Sequence, residues 1–186
     1  MTISVLLIDD HDIFRTSMRA FLEATTNYCI VGEDWNGMDA LMLSKRLRPD
    51  VLVVDYMMPD MDGASITRLL RDQVPEIQVV IISMHDDEVY VSSAIQNGAS
   101  GYILKEDTAV HLGPAVLAAA TKKLYLSPSL RNRKSVIKMD SIAKENLSNK
   151  SENSAPAVTN ITHRQQVAFS MAISASFHSG EEWKEK

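Results

Sequence analysis

The chain has 186 residues, of which 45% are hydrophobic and 23% charged, the balance of a soluble globular protein with one good core and a smaller appendage. No apolar run approaches the roughly twenty residues of a membrane-spanning helix, and acids at Asp9 and Asp10 follow an N-terminus without a basic stretch, unlike a secretory signal. A single cysteine, Cys29, excludes an internal disulfide framework and a cysteine-based zinc site, and a reducing cytoplasm is expected.

In chain order, short β-branched runs alternate with segments of helical spacing. The runs are Ile3–Ile8, Tyr28–Val31, Val51–Val54, Val79–Ile82 and Gly101–Leu104. Between them lie the faces Phe14, Met18, Phe21 and Leu22, then Leu41 and Met42, then Ile66, Leu69 and Leu70, then Val91, Ala94 and Ile95. A last helix runs from Val110 toward Leu124, with Gly113-Pro114 inside it; a kink there, or a start only near Pro114, is expected. Five strand–helix pairs predict an α/β fold, a doubly wound five-stranded parallel sheet covered on both faces. Arg48-Pro49-Asp50 stops the second helix, and Asn97-Gly98 offers a left-handed cap to the fourth.

The charge is divided. Residues 1–120 carry a net −10 and residues 121–186 a net +5. The acidic body suits a cation or phosphate, and the basic end suits an anionic partner or is simply a solvated extension. Residues 140–160 contain four Ser and four Asn, so 127–160 reads as a flexible linker. A helical pattern returns with Val167, Phe169, Met171 and Ile173, after Thr162 as a plausible N-cap.

In an open parallel sheet, ligands bind beyond the carboxyl ends of the strands. The first strand ends in Asp9 and Asp10, the third in Asp55, the fourth in Ser83 and the fifth leads into Lys105. Three carboxylates held together repel, and a hard divalent cation relieves that repulsion. Mg²⁺ takes oxygen ligands from one or two carboxylates plus a phosphate. A lysine and a hydroxyl aimed at the same place suit phosphoryl oxygens. Each aspartate alone would be an ordinary helix cap; the set on one edge points to Mg²⁺ and a phosphoryl group.

The segments Leu7-Ile8-Asp9-Asp10-His11, Asp55-Tyr56-Met57-Met58-Pro59-Asp60-Met61-Asp62-Gly63, Ile82-Ser83-Met84-His85 and Gly98-Ala99-Ser100-Gly101-Tyr102-Ile103-Leu104-Lys105 together resemble the receiver domain of bacterial two-component response regulators, a flavodoxin-like fold. The likeness covers residues 1–126, and Tyr125-Leu126-Ser127-Pro128 resembles the NarL/LuxR-type transcriptional regulators. The resemblance implies that Asp55 is the phosphoacceptor, served by a sensor histidine kinase, with Ser83 and Lys105 on the phosphoryl group. It implies Mg²⁺ on Asp9, Asp10, Asp55 and the backbone carbonyl of Met57. Tyr102 is then the switch aromatic, with His85 bordering the acceptor. Many receivers have proline after the lysine, with a cis bond; Glu106 stands here, and a trans bond is expected.

The C-terminal segment, residues 161–186, resembles the opening of a LuxR-type helix-turn-helix domain at Ile161-Thr162-His163-Arg164-Gln165, but holds only 26 residues. A helix-turn-helix needs a recognition helix and a bracing helix. This stretch is therefore expected to be a partial remnant, and DNA binding, a family property, is in question here. Two readings stay open: a response regulator whose output is transcription, with a phosphorylation-dependent homodimer as its active form, or a stand-alone receiver that passes phosphoryl groups or acts through protein contacts. No membrane role is expected. A third, an aspartate-nucleophile phosphohydrolase, would want an acid two residues after the nucleophile; Met57 is there. The chain is expected not to be an enzyme beyond Mg²⁺-dependent phosphorylation and dephosphorylation of Asp55 itself.

Overall fold

All five runs become strands; four are buried on both faces of the sheet, and Tyr28–Val31, on an edge strand, is partly exposed. The structure is a computed structural model and describes residues 2–131 and residue 171. Its elements are β1 (Ile3–Ile8), α1 (Asp12–Glu23), β2 (Tyr28–Asp34), α2 (Gly37–Leu47), β3 (Val51–Asp55), α3 (Gly63–Gln73), β4 (Gln78–Ser83), α4 (Glu88–Gln96), β5 (Gly101–Leu104), α5 (Thr108–Ala120), β6 (Tyr125–Leu126) and the short α6 (Pro128–Arg131). The turn Lys105–Asp107 is a single 3₁₀ turn. The strands pair in parallel in the order β2-β1-β3-β4-β5-β6.

The sheet has six strands rather than the five expected, a small correction. The extra one, Tyr125–Leu126, pairs with Gly101 and Tyr102 on β5. The packed body also continues past Leu126: Ser127 and Leu130 are buried. The rest of the expected linker, from residue 132, and the whole C-terminal segment except residue 171 lie outside the described residues.

Alternation along each strand divides the core in two. On β3, Val51 and Val53 face the layer of α1 and α5, with Phe14, Met18, Leu112 and Val116. Leu52 and Val54 face the layer of α2, α3 and α4, with Leu43, Ile66, Leu70, Val91 and Tyr102. Asn97 ends α4 and Gly98 turns left-handed at φ 104°, as the sequence predicts. The last helix differs from expectation. It begins at Thr108 and runs through Pro114 to Ala120, stopping short of Leu124. The proline takes one amide donor out of this helix, so packing must hold the turn: Leu112, Gly113, Ala115 and Val116 around it are buried, and the Tyr28 hydroxyl donates to the Gly113 carbonyl at 2.9 Å. Among the described residues no helix is long and apolar enough to cross a membrane.

Candidate functional site: an acidic pocket on the carboxyl edge

The order of strands reverses direction on either side of β1 and β3, and the crevice opens beyond their carboxyl ends. Asp9 follows β1 and Asp55 closes β3, and both are buried. The Asp9 Oδ1 accepts from the backbone N–H of His11 at 2.8 Å, and the Asp9 carbonyl accepts from Arg15 Nη1 at 2.6 Å. These contacts fix the turn between β1 and α1. After Asp55 the chain turns so tightly that a Cβ on Gly63 would stand 2.6 Å from the Asp55 carbonyl, so only glycine fits.

Lys105 enters from the end of β5. Its Nζ donates to Asp55 Oδ2 at 2.8 Å, lies 3.3 Å from Asp9 Oδ2, and sits 4.7 Å from the centre of the Phe14 ring. Burial opposes its charge, but Asp55 and Asp9 outweigh burial and raise its pKa, so it is an ammonium. Burial also pushes the Asp55 carboxyl up, and Asp9 adds to that, while His11 and Lys105 pull it back. The 2.8 Å charge-assisted bond decides the matter: Asp55 is ionised against Lys105.

His11 is the residue that the sequence reading passed over. Its Nδ1 lies 2.9 Å from Asp10 Oδ1, 3.3 Å from Asp9 Oδ1 and 3.7 Å from Asp55 Oδ2. Hydrogen bonds to Asp10, Asp55 and Asp9 raise its pKa to about 11. Burial works against ionisation of Asp10, but the bond to His11 more than compensates and lowers its pKa. A histidine beside two aspartates at the end of a strand was the available signal. Arg15 was missed as well; its place one turn beyond His11 was the clue.

The donor set fits a hard cation. One ligand atom from each of Asp9, Asp10, His11 and Asp55 falls within 4.8 Å of all the others. Asp9 Oδ2 and Asp10 Oδ1 are buried and face the cationic side chains of Lys105 and His11, at 3.3 Å and 2.9 Å. Three carboxylates against Lys105 and a protonated His11 leave a formal net charge of −1; a divalent ion that displaced the His11 proton would meet −2 and neutralise it.

The other half of the site is made of hydroxyls and rings. Ser83 ends β4 and is buried, and its Oγ accepts from the His85 backbone N–H at 3.0 Å. Tyr102 is fully buried and turned inward, and its hydroxyl donates to the His85 carbonyl at 2.8 Å. Burial pushes its phenol upward, and a hydrogen bond to Ser83 acts in the other direction. The His85 ring stacks on Tyr90 with centroids 4.3 Å apart, and Tyr90 meets Tyr56 edge-on at 5.2 Å. Thus Asp9, Asp10, Asp55 and Lys105 gather in one cluster, whereas Ser83, His85 and Tyr102 form a second group one strand away. Met57 borders Asp55: its backbone N–H donates to Asp55 Oδ1 at 3.4 Å and its side chain is exposed. Tyr56 and Tyr90 carried no sequence signal of their own, because a tyrosine after a strand or on a helix is ordinary.

A parallel six-stranded sheet with an acid pair, an aspartate and a lysine on its carboxyl edge defines a receiver. Residues 5–116 match the response regulator receiver domain, and the chain belongs to that family of two-component response regulators. It is 36% identical over 128 residues to the transcriptional regulatory protein DegU of Brevibacillus brevis, covering 69% of this chain and 54% of that protein. It is 38% identical over 128 residues to the probable transcriptional regulatory protein NarL of Mycobacterium tuberculosis, covering 69% of this chain and 59% of that protein. The crystal structure of a LuxR-family two-component response regulator from Aurantimonas superposes with a TM-score of 0.70 at 27% identity, covering 75% of this chain and 99% of that one. The matched stretch is therefore little more than half the length of the first two relatives.

Proposed function

We propose that this chain accepts a phosphoryl group on Asp55 from a sensor histidine kinase, and that the modification shifts the population of a second conformation. The observation that carries this reading is the pair Asp55–Lys105: an ionised, buried carboxylate held 2.8 Å from an ammonium beside two further acids. An oxygen of Asp55 attacks phosphorus in line, the P–N bond of the donor phosphohistidine breaks, and the histidine leaves with its electron pair. An acyl phosphate remains. Catalysis is mainly positioning and charge neutralisation. Lys105 pairs with the incoming oxygens, and Ser83 turns its hydroxyl from the His85 N–H toward them. Tyr102, already turned inward with its hydroxyl on the His85 carbonyl, stays there. Asp9, Asp10, Asp55 and the Met57 carbonyl would hold Mg²⁺, which when bound supplies charge neutralisation to the phosphoryl oxygens. Turnover is confined to Asp55 itself.

Acetyl phosphate with Mg²⁺ tests this directly. The wild-type chain takes up one phosphoryl group, the Asp55→Asn variant takes up none, and excess chelator stops labelling. Labelling of Asp55→Asn at the wild-type level would refute the assignment, and undiminished labelling in chelator would refute the metal.

Transcription control is the output that the DegU and NarL relatives suggest by their names. Anisotropy of labelled duplex DNA, at two salt concentrations and with or without Mg²⁺ and beryllofluoride, separates this from a receiver acting through protein contacts. Binding that depends on the phosphoryl mimic and survives moderate salt supports a DNA output; its absence favours protein contacts.

A further inference from the structure

We propose that Tyr125–Leu130, beyond the residues matched by the receiver family, is a clamp that positions Lys105, with Ser127 and Ser129 as its positioning residues. The inference rests on the phosphoacceptor reading of Asp55. Its basis is a set of contacts converging on the turn Lys105–Asp107. β6 pairs with β5 for only two residues, because the chain leaves the sheet at Pro128, where α6 begins. The Ser127 N–H donates to the Tyr102 carbonyl at 3.0 Å, and the Ser127 side chain then takes over from the backbone: its Oγ accepts from the Leu104 N–H at 3.0 Å. Ser129 Oγ donates to Asp107 Oδ2 at 2.7 Å, and Thr108 Oγ1 donates to the Leu104 carbonyl at 3.2 Å. One short segment thus grips the turn at both ends.

Packing holds the clamp itself. Leu126 and Leu130 insert into the same cluster as Tyr102 and Leu104, and Leu130 is 1% exposed. Lys105 needs such support. Its ammonium must meet an oxygen within a few tenths of an ångström while its stem has four rotatable bonds, so the backbone at its base has to be fixed. Every peptide bond among the described residues is trans, and Glu106 brings no proline ring to stiffen the turn. The contacts from Ser127 and Ser129 supply the constraint.

The test uses the full chain in three forms: wild type, Ser127→Ala and Ser129→Ala. Labelling from acetyl phosphate reads the phosphoryl side of the site. Calorimetric titration with Mg²⁺ alone reads the acid side, which the clamp reaches only through the Lys105 ammonium lying against Asp55 and Asp9. Ser127→Ala is expected to slow labelling about threefold to tenfold, and Ser129→Ala about twofold, as one hydrogen bond is worth. The Mg²⁺ affinity is not lowered in either, because a loosened ammonium leaves Asp9 and Asp55 no less open to the cation. Wild-type labelling rates in both variants would overturn the clamp, as would a fall in Mg²⁺ affinity parallel to the loss of labelling, which marks general loosening. If Ser127→Ala unfolds at the assay temperature, the exposed Ser129→Ala decides. A wild-type chain that takes no label would overturn the reading of Asp55 instead.

Discussion

Helices α4 and α5 both lie against β5, on opposite faces of the sheet, and they are held in different ways. In α5, seven of thirteen residues are buried, among them Leu112, Ala115, Val116 and Ala119. In α4, two of nine are buried, Val91 and Ala94, while Val89 is 77% exposed. What holds α4 is at its ends: Tyr90 stacks on His85 near the start, and Arg71 Nη1 donates to the Gln96 carbonyl near the finish at 2.9 Å. An element with few buried apolar groups costs little to displace. Here it is also the element entered from Ser83 and His85. The contrast is one of attachment: the α1/α5 face is a fixed floor, and α4 is the more loosely held element.

The largest effect that sharpens this contrast is on global stability. Leu112→Ala in the floor is expected to cost about 2–5 kcal/mol, read by urea unfolding. Val91→Ala in α4 should cost less, and the reverse order would break the comparison. Hydrogen exchange gives the next test: amides of α4 should exchange through partial opening, about a hundredfold faster than those of α5, whose opening follows global unfolding. Equal protection would put both helices in one cooperative unit. Tyr90→Ala removes the stack on His85 and the edge contact with Tyr56, a loss of about 0.5–1.5 kcal/mol beyond buried area. Exchange in the first turn of α4 should rise while α5 is unchanged.

The last test concerns pH. In the metal-free chain His11 keeps its proton up to about 11, whereas an unfolded chain releases it near 6.5. Folding then takes up a proton between those values, so the contribution of His11 is complete below 6.5 and fades as pH rises toward 11. The wild-type stability minus that of His11→Ala should decline across this window in urea titrations. A difference that grows with pH would contradict the sign.

Much of this was legible because strands buried on both faces must be written in β-branched residues, and because the site residues stand where those runs stop. Asp9, Asp10, Asp55, Ser83 and Lys105 are readable as strand endings before any packing is known. Tyr125–Leu126 was not, since two residues show no period and their strand exists only through pairing with β5. Pro114 misled: its local penalty is real, but burial of Leu112, Gly113 and Val116 around it keeps the helix whole. The stack of His85, Tyr90 and Tyr56 depends on three segments meeting in space, and nothing in their spacing announces it.

The rim of the acidic pocket carries sulfur. Met57 and Met84 are exposed on the two loops that leave Asp55 and Ser83, at 52% and 46%, while Met18 and Met58 are buried. Oxidation of thioethers follows access, so peroxide reaches the rim before the core. The sulfoxide formed there is polar and chiral, and it sits at the mouth of the acidic pocket, beside Asp55 and Ser83. Oxidation of these two, like that of the more exposed Met38 and Met42, would change the surface while the sheet and its carboxylates stay in place.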